Sequence, residues 1–162
     1  MNSIKTRPLN LSEIDKLSEA ISKNLKNGDV IALSGDLGAG KTTLVSHIAK
    51  HMDLENGATV SSPTYVIHHI YSARMPVHHI DLYRLEHAGA AASMGFEEFM
   101  GEEGVTLIEW FEKFPTLWTG PTLHIQINLH NADQRIYPFR ATGPENRHWT
   151  GMFDEIQKKW ND

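Results

Sequence analysis

A glycine-rich segment carries the strongest chemical signal in the chain. It runs Gly35-Asp-Leu-Gly-Ala-Gly-Lys-Thr42 and fits the pattern of a glycine, four residues and then Gly-Lys-Ser or Gly-Lys-Thr. Glycine tolerates positive φ, so such a loop can turn successive backbone N–H groups toward one centre and form an anion-binding nest. The segment therefore predicts a phosphate-binding loop that holds a nucleoside triphosphate.

Single residues of this loop have separate expected roles. Lys41 is expected to reach the β- and γ-phosphates, the Thr42 hydroxyl to bind Mg²⁺, and Thr43 to lie near the α-phosphate. The alternative is an ordinary glycine-rich turn that opens a helix. The residues predicted to contact the nucleotide here are Gly35, Gly38, Ala39, Gly40, Lys41, Thr42 and Thr43.

The elements on both sides of the loop are those that a phosphate-binding loop requires. Val30-Ile-Ala-Leu33 is a short apolar run, typical of a strand buried on both faces of a parallel sheet. After the loop, apolar residues from Leu44 to Met52 mark one face of a helix. This strand, loop and helix favour the phosphate-binding interpretation over a chance turn.

Two acidic residues follow apolar runs and are candidates for phosphoryl-transfer chemistry. Asp81 ends Val77-His-His-Ile-Asp81, and Glu109 ends Thr106-Leu-Ile-Glu109. Ligands in open α/β sheets bind at the carboxyl ends of strands, and the chemistry needs one group for the metal and another for the attacking water. The pattern does not tell which acid does which. A strand-end residue in a solvated turn is the alternative for each.

Three further features have weaker functional signals. Thr64, in the segment Ser61-Ser-Pro-Thr-Tyr65, could sense the γ-phosphate, but the pattern favours a tight turn set by Pro63. The pairs His68-His69 and His78-His79 could bind a metal. However, neighbours on a strand point to opposite faces, so neither pair can chelate from one side. The aromatic residues Trp110, Phe111, Phe114 and Trp118 are interpreted as packing.

The remaining patterns predict the rest of an α/β fold. A capping box at Ser12-Glu-Ile-Asp15 opens a helix that ends near Asn27-Gly28, and Glu86 to Gly104 holds short helical turns. Strands are expected over Tyr65–Tyr71, Leu123–Leu129 and Arg135–Thr142, with Pro138 at a bulge or edge. Trp149 to Trp160 forms a last amphipathic helix. We predict an α/β P-loop NTPase, one domain over residues 1–162, with a mixed, mostly parallel sheet flanked by helices.

Composition excludes several classes of protein. The chain has 162 residues, 40% of them hydrophobic, and no cysteine, which removes disulfides and thiolate chemistry. Its formal net charge of -5 argues against direct binding of nucleic acid. No apolar run reaches the ~18 residues of a membrane span, and the N-terminus lacks a leader-like apolar stretch. We expect a cytoplasmic protein without a membrane partner.

Four motifs in order resemble those of the bacterial TsaE family, also called YjeE. They are the loop through Thr43, Ser-Pro-Thr-Tyr at 62–65, Asp-Leu-Tyr-Arg at 81–84 and Ile-Glu-Trp at 108–110. The resemblance covers about residues 28–112. It departs from the family at Ala88-Gly-Ala-Ala-Ala-Ser93, where relatives have a more acidic helix, and after residue 112, where no motif matches.

The resemblance implies a function and a set of site residues. Family members are small ATPases needed for threonylcarbamoyladenosine (t6A) in tRNA, and they act with a TsaD transferase and its inactive relative TsaB. By resemblance, ATP and Mg²⁺ are the ligands and tRNA is contacted only through the complex. Thr42 and Glu109 bind Mg²⁺, and Asp81 is the acid like that of a Walker B motif. Functional neighbours are Thr64, Trp110 and, as a nucleotide contact, Arg135.

Other nucleotide-binding classes remain as alternatives. A P-loop kinase for a small molecule needs an arginine-bearing lid, and no such arginine cluster occurs. A GTPase needs Asn-Lys-x-Asp and Asp-x-x-Gly, and the sequence has neither. A nucleotide sensor differs only in that it does not hydrolyse ATP. We expect slow hydrolysis by the isolated chain and stimulation by partners, because no arginine finger is evident.

Overall fold

The structure is a computed structural model that describes residues 2–55, 58–61, 67–143 and 146–161. The α-helices of the described residues are α1 (Leu11–Asn24), α2 (Lys41–Lys50), α3 (Ala88–Ala92) and α4 (Thr150–Trp160). The strands there are β1 (Ser3–Lys5), β2 (Val30–Ser34), β3 (His68–Tyr71), β4 (Val77–Asp81), β5 (Val105–Glu109), β6 (Thr122–Gln126), β7 (Asn128–Leu129), β8 (Arg135–Ile136) and β9 (Pro138–Thr142).

The main sheet is mixed, with a parallel centre. Its seven strands run in the order β1-β9-β6-β2-β5-β4-β3, and β7 pairs with β8 in a separate ribbon. β2 is parallel to both β5 and β6, and β4 is parallel to β5. β9 is antiparallel to β1 and β6, and β3 is antiparallel to β4. This arrangement confirms the predicted mixed sheet flanked by helices.

Apolar side chains cover the two faces of the sheet differently. On one face, α1, α2 and α4 bury residues such as Leu17, Leu44 and Phe153 against Leu33 and Ile125 of the central strands. On the other face, short turns around Phe96, Met100 and Phe111 pack on Ala32 and Ile108. The alternation of side chains along each strand sends successive residues to opposite layers. None of the described helices is long and apolar enough to cross a bilayer.

The first helix begins and ends earlier than predicted. Its N-cap is Asn10, whose Oδ1 accepts the Glu13 N–H at 3.1 Å, while Glu13 Oε2 accepts the Asn10 N–H at 3.0 Å. The predicted capping box at Ser12–Asp15 is therefore wrong. The same spacing occurs two residues earlier at Asn10 and Glu13, where Asn is a favoured N-cap and Glu is the usual acid at the third position. The helix ends at Asn24, since Leu25 has an extended backbone.

Two strand predictions also needed correction. The alternating run from Leu123 to Leu129 splits at Ile127 into β6 and β7, so it is not one strand. The run from Arg135 to Thr142 likewise divides, at Tyr137, into β8 and β9. Pro138 is not at an edge, because β9 lies between β1 and β6. It is the first residue of β9, where a missing N–H costs least. The strand predicted from residue 65 begins at His68 among the described residues, because Ile67 lies in a bend, and residues 62–66 are outside the described part.

Candidate functional site

The glycine-rich loop joins the end of β2 to the first turn of α2. Its backbone has φ of +79° at Gly38 and +110° at Gly40, values that favour glycine. A Cβ placed at either position would meet no heavy atom within 4 Å, so both glycines border open space. Gly40 is the N-cap of α2, which has no side-chain cap. The N-terminal end of α2, with its positive dipole end, therefore borders a space that fits an anionic group.

Lys41 is the first residue of α2, directly after the loop, and is almost fully buried. Its Nζ donates to the carbonyls of Gly35 at 2.6 Å and Asp36 at 3.0 Å. The ammonium group also lies 4.0 Å from the centroid of the Trp110 ring, a cation–π distance. Burial lowers the pKa of Lys41 below its ordinary value, and the nearby Glu109 carboxylate opposes that shift. A phosphate in the cavity would give the Lys41 ammonium group an anionic partner. The carbonyls of Gly35 and Asp36 are neutral and compensate its charge less well.

Thr42 and Glu109 are in direct contact. The Thr42 hydroxyl lies 2.9 Å from Oε1 and 3.1 Å from Oε2 of Glu109. The contact follows from the sheet, because β2 and β5 pair in parallel with Leu33 opposite Glu109, so the loop and the acid emerge at one edge. Both groups offer oxygen, the ligand atom that Mg²⁺ prefers. The pair thus fits the predicted magnesium site.

Asp81 lies beside this pair but has a different environment. It is opposite Glu109 in the register of β4 and β5, and its Oδ1 accepts the N–H of Tyr83 at 2.9 Å. It is only half-buried, whereas Glu109 is 2% exposed. The Asp81 side chain is therefore more accessible to solvent than that of Glu109.

Trp110 follows Glu109 with a backbone conformation that is unusual for a residue with a Cβ. Its φ is +62°, in the left-handed region, which costs about 1–2 kcal/mol for such a residue. The turn places the indole over Lys41 and 5.0 Å from the ring of Tyr83. Phe111, Phe114 and Trp118 pack in the apolar layer on the other face of the sheet, which Trp110 also contacts. Of these four aromatic residues, Trp110 is the one that lines the cavity.

A cavity of about 410 Å³ connects most of the predicted residues. Gly35 and Ala39 are absent from its lining, and Arg135 is as well. Instead, Arg135 Nε donates to the Ala39 carbonyl at 3.0 Å and so supports the loop from behind. Thr64 lies outside the described residues. The lining residues are Leu37, Gly38, Gly40, Lys41, Thr42, Thr43, Ile67, Asp81, Tyr83, Arg84, Glu109 and Trp110.

Three residues at or beside the site were given no role with the nucleotide from the sequence. Tyr83 and Arg84 line the cavity, and they belong to the Asp-Leu-Tyr-Arg motif at 81–84, which was the signal that could have indicated them. His79 Nε2 lies 2.5 Å from Oε2 of Glu109, and both side chains are buried. His79 was considered only as a possible metal ligand. Its separation of two residues from Asp81 puts it on the same face of β4, which is a recognisable signal.

His68 and His78 contact each other between the neighbouring strands β3 and β4. His68 Nε2 lies 3.0 Å from His78 Nδ1, and both rings stack on Phe99. Burial, with a smaller effect of His78, lowers the pKa of His68 to about 4. Within the described ranges, no group of three or more histidine or acidic side chains is arranged to hold a metal ion. In the structure the His68 and His78 rings pack against Phe99.

Comparisons with known proteins point to one family. The family model described as "Threonylcarbamoyl adenosine biosynthesis protein TsaE" matches residues 9–137. A relative from Rickettsia conorii is 32% identical over 146 residues, which cover 90% of this chain and 82% of the relative. One from Bacillus subtilis is 33% identical over 144 residues, covering 88% and 89%. Both are described as tRNA threonylcarbamoyladenosine biosynthesis protein TsaE.

A solved structure supports the same assignment at the level of the fold. The crystal structure of YdiB from Bacillus subtilis has a TM-score of 0.75 and 30% sequence identity to this chain. The superposition covers 96% of this chain and 95% of that one. The family match over residues 9–137 includes the glycine-rich loop, Asp81 and Glu109. This chain belongs to the TsaE family.

Proposed function

We propose that this chain binds ATP with Mg²⁺ and hydrolyses it in the biosynthesis of threonylcarbamoyladenosine in tRNA. Membership of the TsaE family supports the pathway. The observation that carries the chemistry is the Thr42–Glu109 contact at the mouth of the glycine-rich loop. It joins a hydroxyl and a carboxylate beside a buried lysine, in a cavity bordered by backbone N–H groups.

Each group has a role that its position supports. The loop N–H groups and Lys41 hold phosphate oxygens, and Thr42 and Glu109 hold the metal ion. Bound Mg²⁺ would supply charge that neutralises the developing negative charge on the phosphates. Asp81 lines the cavity and is half-buried, whereas Glu109 is buried against Thr42, so Asp81 is the group better placed to orient the attacking water. Arg135 supports the loop through the Ala39 carbonyl, and its direct contact with the nucleotide stays a prediction.

We infer that the site is completed by partner proteins. The mouth of the cavity exposes apolar side chains, with Leu37 72% and Tyr83 50% exposed. Such residues are suited to be covered by another surface. We propose a TsaD-like transferase and a TsaB-like protein as the partners, with tRNA contacted only through that complex. A partner group that stabilises the transition state accelerates hydrolysis by about 10³–10⁵ in nucleotide switches. A cytoplasmic location stays a prediction.

The test combines binding and turnover. We expect calorimetry to detect ATP binding that is stronger with Mg²⁺, and hydrolysis that is slow alone and faster with the partner pair. Lys41→Ala should reduce the stimulated rate by at least about 10²-fold, the effect of losing one preorganised donor. Lys50→Ala, at the exposed end of the same helix, is the matched control and should keep the rate.

Two results would contradict the proposal. An absence of Mg²⁺-dependent ATP binding by the folded wild-type chain removes the nucleotide function altogether. Transfer of phosphate to a small-molecule acceptor, followed with labelled ATP, would instead favour the kinase alternative.

A further inference from the structure

His79 is a fully buried polar residue to which the proposed function gives no role. It lies on β4, opposite Leu107 of β5 in the parallel register. Residues opposite each other in neighbouring strands share a face, and so do residues two apart on one strand. Glu109 is two residues beyond Leu107 on β5, so His79 and Glu109 are on the same face of the sheet. Its Nε2 approaches Oε2 of Glu109 to 2.5 Å.

The contact determines which ring nitrogen carries the proton. Glu109 as a carboxylate only accepts hydrogen bonds, so His79 must present Nε2–H to it. A proton on Nδ1 alone would instead set two lone pairs against each other at 2.5 Å. Nδ1 is buried and has no hydrogen-bond partner among the residues that the structure describes. His79 is therefore a donor with a single acceptor.

The two oxygens of Glu109 have unequal environments as a result. The Thr42 hydroxyl is within hydrogen-bond distance of both oxygens, whereas His79 reaches only Oε2. With Oε2 held from inside the sheet, the carboxylate cannot rotate freely about its last bond. Oε1 is then the oxygen that stays available on the Thr42 side.

We propose that His79 is a positioning residue that fixes Glu109 so that one carboxylate oxygen is presented to the metal ion. The inference rests on the proposed function, in which Thr42 and Glu109 bind Mg²⁺. Partners that orient a ligating carboxylate typically change metal affinity or activity by about 10–100-fold when they are removed. A role in packing alone does not need a donor there, because the neighbouring Leu107 shows that apolar side chains fit this layer.

Substitutions separate the donor from the volume of the side chain. His79→Leu is expected to lower kcat for ATP hydrolysis by about 10–100-fold. His79→Gln should restore most of the rate, because its amide nitrogen occupies the place of Nε2. His79→Asn should not, because its shorter amide nitrogen lies at the place of Nδ1. The matched control is His69→Leu, opposite His79 on β3, whose ring contacts the Tyr71 hydroxyl and not Glu109.

A binding measurement distinguishes positioning from a structural defect. ATP affinity without Mg²⁺ should be unchanged in His79→Leu, while the additional affinity that Mg²⁺ gives should fall. A parallel loss of both affinities would overturn the inference. In the Glu109→Gln background, His79→Leu should cause no further loss of rate, because a residue that acts through Glu109 has nothing left to position. A full further loss would also overturn it.

Nuclear magnetic resonance tests the contact without any nucleotide. We expect a slowly exchanging His79 Nε2 proton in the wild-type spectrum, shifted by Glu109→Gln but not by His69→Leu. A proton found on Nδ1 instead, or no response to Glu109→Gln, would overturn the positioning role even if the wild type hydrolyses ATP. Conversely, a wild type that shows this proton but no Mg²⁺-dependent ATP binding contradicts the proposed function and not the contact.

Discussion

At the scale of single residues, the site depends on one hydroxyl and one carboxylate that meet at the edge of the sheet. The Thr42–Glu109 contact brings together the two groups whose oxygens are the proposed ligands of Mg²⁺. Lys41 is likewise held in place by the Gly35 and Asp36 carbonyls and by the Trp110 ring. Preorganisation of this kind reduces the cost of ordering side chains when a ligand binds.

The role of the Thr42 hydroxyl can be tested separately from the shape of the side chain. Thr42→Val keeps the branched side chain and removes the oxygen, so we expect the Mg²⁺-dependent gain in ATP affinity to fall by at least about 10-fold. Thr42→Ser keeps the oxygen and should stay near the wild type. Calorimetry with and without Mg²⁺ measures both. Equal behaviour of the valine and serine variants would show that the hydroxyl is not a ligand.

At the scale of elements, the start of α1 shows how local hydrogen bonds decide where a helix begins. Asn10 and Glu13 each satisfy a backbone N–H of the other. The Ser12 hydroxyl donates to the Asn10 side chain at 2.9 Å and so only supports the cap. The helix is therefore anchored by Asn10.

This assignment predicts unequal effects of two alanine substitutions. Asn10→Ala should lower the free energy of unfolding by about 1 kcal/mol, the typical effect of losing an N-cap. Ser12→Ala should have a smaller effect, and Asn10→Asp should retain most of the stability. Urea unfolding of the three variants provides the comparison. A larger loss for Ser12→Ala would restore the cap first expected from the sequence.

The elements nearest the site were the easiest to predict from the sequence. β2, β4 and β5 are short apolar runs, and the loop between β2 and α2 has its own motif. Each of these elements can therefore be predicted from its own residues. β1 was missed because three residues carry too little pattern, and its pairing with β9 joins distant parts of the chain. The His79–Glu109 contact depends on the register of β4 against β5, which no local pattern specifies. The roles assigned to individual site residues stay predictions.

At the scale of the whole molecule, a cluster of Asp15 with basic side chains joins α1 to the last turn of α2, at the end of that helix away from the loop. Asp15 Oδ1 lies 2.9 Å from His47 Nδ1 and 3.1 Å from His51 Nε2, with Lys50 Nζ at 3.6 Å. The hydrogen bond with His47 is the largest cause that lowers the pKa of Asp15, to about 2. The charged carboxylate thus stabilises the packing of these two helices.

The cluster predicts a pH dependence of stability with a definite sign. Because the pKa in the folded state is lower than the ordinary value of 3.8, the contribution is fully present above that value. It is lost as the pH falls from there through about 2. Asp15→Asn should therefore be less stable than the wild type near pH 7, and the difference should shrink below about pH 4. Unfolding midpoints across this range measure it.

An exposed acid provides the control for this measurement. Asp154→Asn, on the solvent side of α4, should follow the wild-type stability at each pH. A stability difference for Asp15→Asn that does not change with acidification would contradict a role of the charge.

The hydroxyl of Thr42 and the carboxylate of Glu109 lie 67 positions apart in the chain. The loop can close on itself early during folding, but Glu109 arrives only when β5 pairs with β2. Parallel pairing between distant segments is intrinsically slow, because the entropy of closing a long loop is lost before the contacts between the strands stabilise the chain. Competence to bind metal should therefore emerge late, with the completed sheet. Refolding followed by Mg²⁺-dependent nucleotide capture would report that last step separately from the earlier collapse of the chain.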